Sequence, residues 1–205
     1  SHRIWAAYTL SIGQALWRRW EFGYGMSGAR PSLNRITETP DDATKAATIA
    51  KALLFPSSVE TLGDRGVGMS SEVWWSPSHP FKSGLTGQTA AAMCDDYTKV
   101  TGKQWVQPLG FKHALLEVGL DVLKRCGNPD DKKAIMKAIA DTNYQSMVGP
   151  VSWKTGPMKN CATTPLVGGQ WVKGKKFKYD LEITNNAAYP GIPTTRKFEP
   201  LQYKA

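Results

Sequence analysis

His113 and Glu117 stand four residues apart in a segment, Leu109–Cys126, whose apolar spacing predicts a helix, so both rise from one face. Two such side chains could share a metal ion or relay a proton, but ordinary helix surfaces carry the same HxxxE pair. His79 lies in the proline-flanked run Ser76–Phe81 beside Trp74 and Trp75, a setting that suits packing better than proton transfer. Gly63–Gly68 (GDRGVG) is rich in glycine, yet it lacks the GK[ST] ending and the strand-to-helix setting of a phosphate cradle. No GxSxG and no HExxH is present, so no nucleophile–base pair can be nominated. Lys173, Lys175, Lys176 and Lys178 alternate with Trp171, Phe177 and Tyr179. In a nucleic-acid binder that interleaving would join phosphate contact to base stacking. On a hairpin the aromatics turn to the core instead and the lysines to water.

The elements that must position these residues can be read from about Lys45 onward. Thr44–Phe55 opens like a helix and ends like a strand. Pro56 stops it, and Ser57 or Ser58 is placed to cap a short helix through Leu62. Met69–Trp75 reads as a strand and the run after it as an irregular connection. Leu85–Val100 predicts a helix ended by Gly102, and Leu109–Cys126 a second one closed by Gly127. Asn128-Pro129-Asp130-Asp131 predicts a capped start for a third, Asp131–Ala140. Ser146–Trp153, Leu166–Val172 and Phe177–Thr184 alternate like strands, the last two joined by a turn at Val172–Lys176. Mixed helices and strands define an α/β protein.

Two hundred and five residues fit one large domain or two small ones, and 41% hydrophobic content suffices for a buried core. No apolar run is long enough to span a bilayer as a helix. The net charge of +9 permits anionic partners without requiring them. Cys94, Cys126 and Cys161 share no short spacing, which argues against a zinc site and leaves at most one disulfide. The basic residues are divided unevenly: Arg3, Arg18, Arg19, Arg30 and Arg35 open the chain, and every lysine follows from Lys45. Ile4–Trp20 is apolar enough for a helix, but Gly13 interrupts it and no secretory cleavage pattern follows.

Residues 50–200 carry a longer pattern. AKALLFPSSVETLGDRGVGM, WWSPSHPFKS, TGKQWVQPLGFKHALLEVGLDVLKRCGNPDDKKAIMKAI, MVGPVSWKTGPMKN and TPLVGGQW follow one another in order. This succession resembles the C-terminal part of ABC-importer solute-binding proteins, in the type I periplasmic-binding fold of the branched-chain amino acid receptor family. The WWSPSHPFKS and TPLVGGQW runs are similar to those of members related to aromatic- or organic-acid binders. The resemblance implies an incomplete two-lobed α/β architecture with helices on mixed or parallel sheets. It divides the chain into a leader, residues 1–44, with no counterpart in the family, and residues 45–205. Within the latter, 45–82 would give second-lobe strands and a crossing, 83–150 helices returning to the first lobe, and 151–205 the final crossing and C-terminal hairpin. The leader's arginine bias would suit a mis-joined gene start or a chimera.

The function implied is capture of a small organic solute and its delivery to a membrane permease, without catalysis, cofactor or metal. The solute would be a branched-chain or aromatic amino acid, or a related carboxylate or amide. The family's location implies a periplasmic or extracytoplasmic setting. Carried over by position, the ligand-binding candidates are Ser57 and Ser58 after the Leu53–Phe55 strand, Asp64 as an acid for a ligand ammonium, Trp74 and Trp75 as stacking surface, and Phe111 and His113 at a helix start. Neighbouring strand residues face opposite sides, so only one of Trp74 and Trp75 is expected to touch ligand. With the first half of the fold lacking a counterpart, binding is expected to be impaired, because affinity comes from enclosing the ligand. No nucleic-acid partner is expected, and exposed sheet edges leave pairing with a second copy open. Two other classes stand beside this reading: an enzyme using His113 or His79, and a basic nucleic-acid-binding module using the lysines after Trp171.

Overall fold

The strand pair expected near the C-terminus forms β6 (Val167–Lys173) and β7 (Tyr179–Asn185), antiparallel, with Trp171 opposite Leu181. In this computed structural model residues 21–22, 47–49, 52–154 and 156–201 are described, and the chain divides into two units, 1–73 with 166–205, and 74–165. The leader, including Ile4–Trp20, lies almost wholly outside the described residues.

The first unit is built on a five-stranded mixed sheet. Its order is β1 (Glu21–Phe22), β2 (Ala47–Thr48), β3 (Ser70–Val73), β6, β7; β1, β2 and β3 run parallel, and β3, β6 and β7 alternate. Leu53–Phe55 is not the expected strand; it forms the turn into helix α1 (Pro56–Leu62), with Leu53 and Leu54 buried. Neither Ser57 nor Ser58 caps that helix. Phe55 takes the N-cap position without a side-chain bond, and Pro56, whose missing N–H costs nothing in a first turn, starts it. Val59, Met69, Trp171, Tyr179, Leu181 and Ile183 are buried, and the Trp171 indole N–H donates to the Leu53 carbonyl at 2.9 Å. The other sheet face carries a polar row, Thr48, Ser70, Gln170 and Glu182, aligned by register across four strands. Gln170 is buried and ties the C-terminal segment down: its amide donates to the Glu199 and Gly68 carbonyls and accepts the Glu199 N–H. Gly68 has φ +86°, and a Cβ there would stand 2.9 Å from Leu201.

Among its described residues the second unit holds three helices and one hairpin. Helix α2 (Ala90–Thr101) starts five residues later than its apolar stripe suggests. The reason is Thr89, whose hydroxyl accepts the Ala92 N–H at 3.1 Å, and Gly102 ends the helix in the left-handed region as expected. Helix α3 (Pro108–Arg125) starts with Pro at its first position. Helix α4 (Lys132–Ala140) is capped by Asp131 rather than Asn128; the Asn128 side chain instead accepts the Asp130 N–H inside the preceding turn. Ser146–Trp153 is not one strand: Ser146 ends β4 (Asn143–Ser146), Met147-Val148 make a tight turn, and β5 (Gly149–Ser152) returns antiparallel. The core is Trp75, Ala90, Met93, Cys94, Ala114, Met147 and Val148. Burial, with Asp95 next to it, pushes the Cys94 thiol up to about 12. Among the described residues all three cysteines are free thiols, and no helix is long and apolar enough to cross a membrane.

Candidate functional site

Trp74 and Phe111 form an aromatic corner in the second unit. Their ring centroids are 6.0 Å apart at 71°, an edge-to-face pair, and both rings keep part of their surface exposed. Trp74 is held from behind by its backbone: its N–H donates at 2.6 Å to Oε1 of the fully buried Gln107, one residue before α3. Phe111 is fixed by the first turn of α3. The aromatic edge presented there can lie against an apolar or aromatic solute.

Trp75 turns the other way. It is fully buried, its indole N–H donates to the Met147 carbonyl at 3.2 Å, and it meets Trp105 edge-on at 6.3 Å. Its ring lies directly over Gly110, where a Cβ would overlap the indole. Of the two tryptophans, only Trp74 therefore has surface to offer a ligand.

His113 and Glu117 do share a helix face, and Ser83 joins them. Ser83 donates to Glu117 Oε1 at 2.8 Å, while His113 Nε2 lies 2.8 Å from the same Ser83 oxygen and 3.9 Å from the carboxylate. Ser83 has one proton and spends it on Glu117, so its oxygen accepts from His113, which places a proton on Nε2. Leu85 N–H and Thr86 N–H also point at that oxygen. The other carboxylate oxygen takes the Met147 N–H at 2.8 Å. Glu117 and Ser83 are buried, so this cluster pins α3 to the 83–86 turn and to the hairpin tip. It uses up the chemistry that the HxxxE spacing advertised. Positions 111 and 113 are also about 200° apart around the helix, so His113 does not share the face of Phe111.

His79 is buried with one ring nitrogen, Nδ1, 3.0 Å from Ser76 Oγ and the other, Nε2, without a partner. Burial alone lowers its pKa to about 4, which keeps the ring neutral near pH 7.

Ser57, Ser58 and Asp64 belong to the first unit. Ser57 is exposed in the first turn of α1, its carbonyl accepting from Thr61. Ser58 is half-buried and donates its N–H to Phe55 O. Asp64 is exposed and pairs with Lys173 at 3.2 Å. On the β6–β7 hairpin Trp171 and Tyr179 are buried, while Lys173, Lys175, Lys176 and Lys178 are exposed. Ser83, Gln107 and Gly110 escaped the sequence reading. Only Gly110, a glycine inside an otherwise regular helix, carried a visible signal of close approach.

No known family profile and no curated protein sequence matches the chain. Solved structures do. A leucine-binding protein from Thermotoga maritima is 15% identical with a TM-score of 0.55, over 90% of this chain and 47% of that one. A putative branched-chain amino acid ABC transporter protein from Silicibacter pomeroyi gives 15% and 0.56, over 81% and 42%. A solute-binding protein of an ABC transporter from Rhodopseudomonas palustris, solved with 3,4-dihydroxybenzoic acid, gives 16% and 0.55, over 80% and 44%. The fold is thus that of the type I solute-binding proteins, as the resemblance implied. The chain spans somewhat under half the length of the structures it matches.

Proposed function

We propose that the chain serves as a solute-binding component of an ABC importer, taking up a small organic solute and presenting it to a membrane permease in an extracytoplasmic compartment. The observation that carries this is the type I fold across 80–90% of the chain; fold alone does not dictate function, so the residues must support it. They do so at Trp74 and Phe111, a half-buried aromatic corner whose tryptophan backbone is held by a buried glutamine. Such a corner favours a planar aromatic acid or a branched aliphatic side chain. The protein acts by binding: in the Ser83–His113–Glu117 cluster the serine and the carboxylate are buried and tie α3 to the neighbouring turn and hairpin. A thermal-shift screen of branched-chain amino acids, aromatic acids and amides tests the assignment: one chemical class raises the melting temperature, and the rise disappears in Trp74→Ala. Equal melting temperatures with every class would oppose it.

A further inference from the structure

Helix α3 carries apolar side chains on more than one side. Its inner face buries Gly110, Ala114, Glu117 and Val122, yet Leu116, Leu120 and Leu123 lie on the opposite side, with Leu115 exposed at the border between the two. With Met136 and Ile139 on the neighbouring α4, these side chains are 40–67% exposed. A helix with two apolar faces is normally covered on both. The six side chains leave roughly 600 Å² of apolar surface, at the upper end of what a monomer tolerates as one patch.

We propose that this face is covered by the same face of a second copy of the chain, α3 crossing α3 antiparallel about a two-fold axis between Gly119 and Leu120. The spacing is self-complementary in that register. Leu116 meets Leu123 of the second copy, Leu120 enters the space over the second copy's Gly119, and each pair recurs by symmetry. Gly119 supplies the hole, since nothing lies within 4 Å of the position a Cβ would take. The charges agree as well. Lys124 falls opposite Leu115 of the second copy and Lys112 level with positions beyond the end of its α3, so no lysine of α3 is paired directly with another, and Arg125 is already paired with Asp121 at 2.8 Å. Two such faces would together bury about 1,200 Å², the lower bound of a standard interface, so the dimer is specific but dissociable.

Sedimentation equilibrium on the chain over a wide concentration range, with Leu116→Lys/Leu123→Lys beside it, tests this. The chain is expected to dimerise reversibly, and the double substitution to raise the dissociation constant by about thirtyfold or more. If circular dichroism shows the lysine variant unfolded, Leu116→Ser/Leu123→Ser takes its place. A chain monomeric throughout overturns the proposal, as does a dimer indifferent to both variants. A lysine rim is also suited to anionic lipid. Flotation with phosphatidylglycerol vesicles, lost in the same variants while the chain stays monomeric in solution, would assign the face to a membrane surface and overturn the dimer.

Discussion

The Ser83 hydroxyl donates a hydrogen bond to Oε1 of Glu117 at 2.8 Å, although the two are thirty-four positions apart in sequence, and Oε2 of the same carboxylate accepts the Met147 N–H. One buried side chain thus joins a turn, a helix and a hairpin tip. A carboxamide has a single acceptor oxygen where the carboxylate has two. Glu117→Gln therefore leaves either Ser83 or Met147 without an acceptor, at a cost of about 1–3 kcal/mol. Urea unfolding should show the midpoint falling with an unchanged slope.

Gly110 is fixed by close approach. Its backbone carries the Trp75 ring, and any side chain there meets the indole. Gly110→Ala is expected to destabilise by about 1–3 kcal/mol through overpacking, despite the better helix propensity of alanine. Paired with Trp75→Leu, which vacates the space, the alanine should cost much less; a double-mutant cycle measures the difference.

His79 makes stability depend on pH. The folded pKa is about 4, against an ordinary value of 6.5, because burial opposes the charge. Between those values the unfolded chain binds a proton that the folded chain does not. Stability from this group is therefore complete above about pH 6.5, declines as the pH falls, and levels off below about pH 4. The decline amounts to roughly 3 kcal/mol. The pH profile of the melting temperature should lose that component in His79→Phe.

Ser70 and Thr48 are neighbours across β2 and β3, and both hydroxyls are buried without a partner. Removing an unsatisfied polar atom leaves no partner stranded. Ser70→Ala should be neutral or stabilise by up to about 1 kcal/mol, opposite in sign to most buried substitutions. Calorimetric melting reads the sign directly.

Local chemistry explains which elements could be read from the residues. Gly102 and Gly127 bound two helices visibly, because a left-handed terminus needs glycine. The β6–β7 hairpin was legible from alternation about a lysine–glycine turn. The β4–β5 hairpin was not: Met147-Val148 has none of the usual turn residues, and Ser146 closes the turn with its own hydroxyl, bonded to the Gly149 carbonyl and accepting the Val148 N–H. The apolar stripe of α2 begins before Thr89 and so hides the helix start, although a threonine before three alanines is itself a capping signal. Among candidate site residues, Trp74 and Phe111 could be nominated, but which tryptophan keeps its surface depends on Gly110, thirty-five positions away. The exposed side of α3 was invisible for a related reason, since periodicity marks apolar positions without saying which of two faces is covered.

Solute binding is tested most directly by a chemical-shift titration, which detects weak association. With the Trp74 indole and Phe111 ring signals assigned, branched-chain and aromatic acids are added in turn. One class should shift both signals saturably while the buried Trp75 indole stays nearly still, and Trp74→Ala should abolish saturation. Signals of Trp74 and Phe111 that stay unmoved by every solute, in a chain with dispersed native spectra, would contradict the assignment.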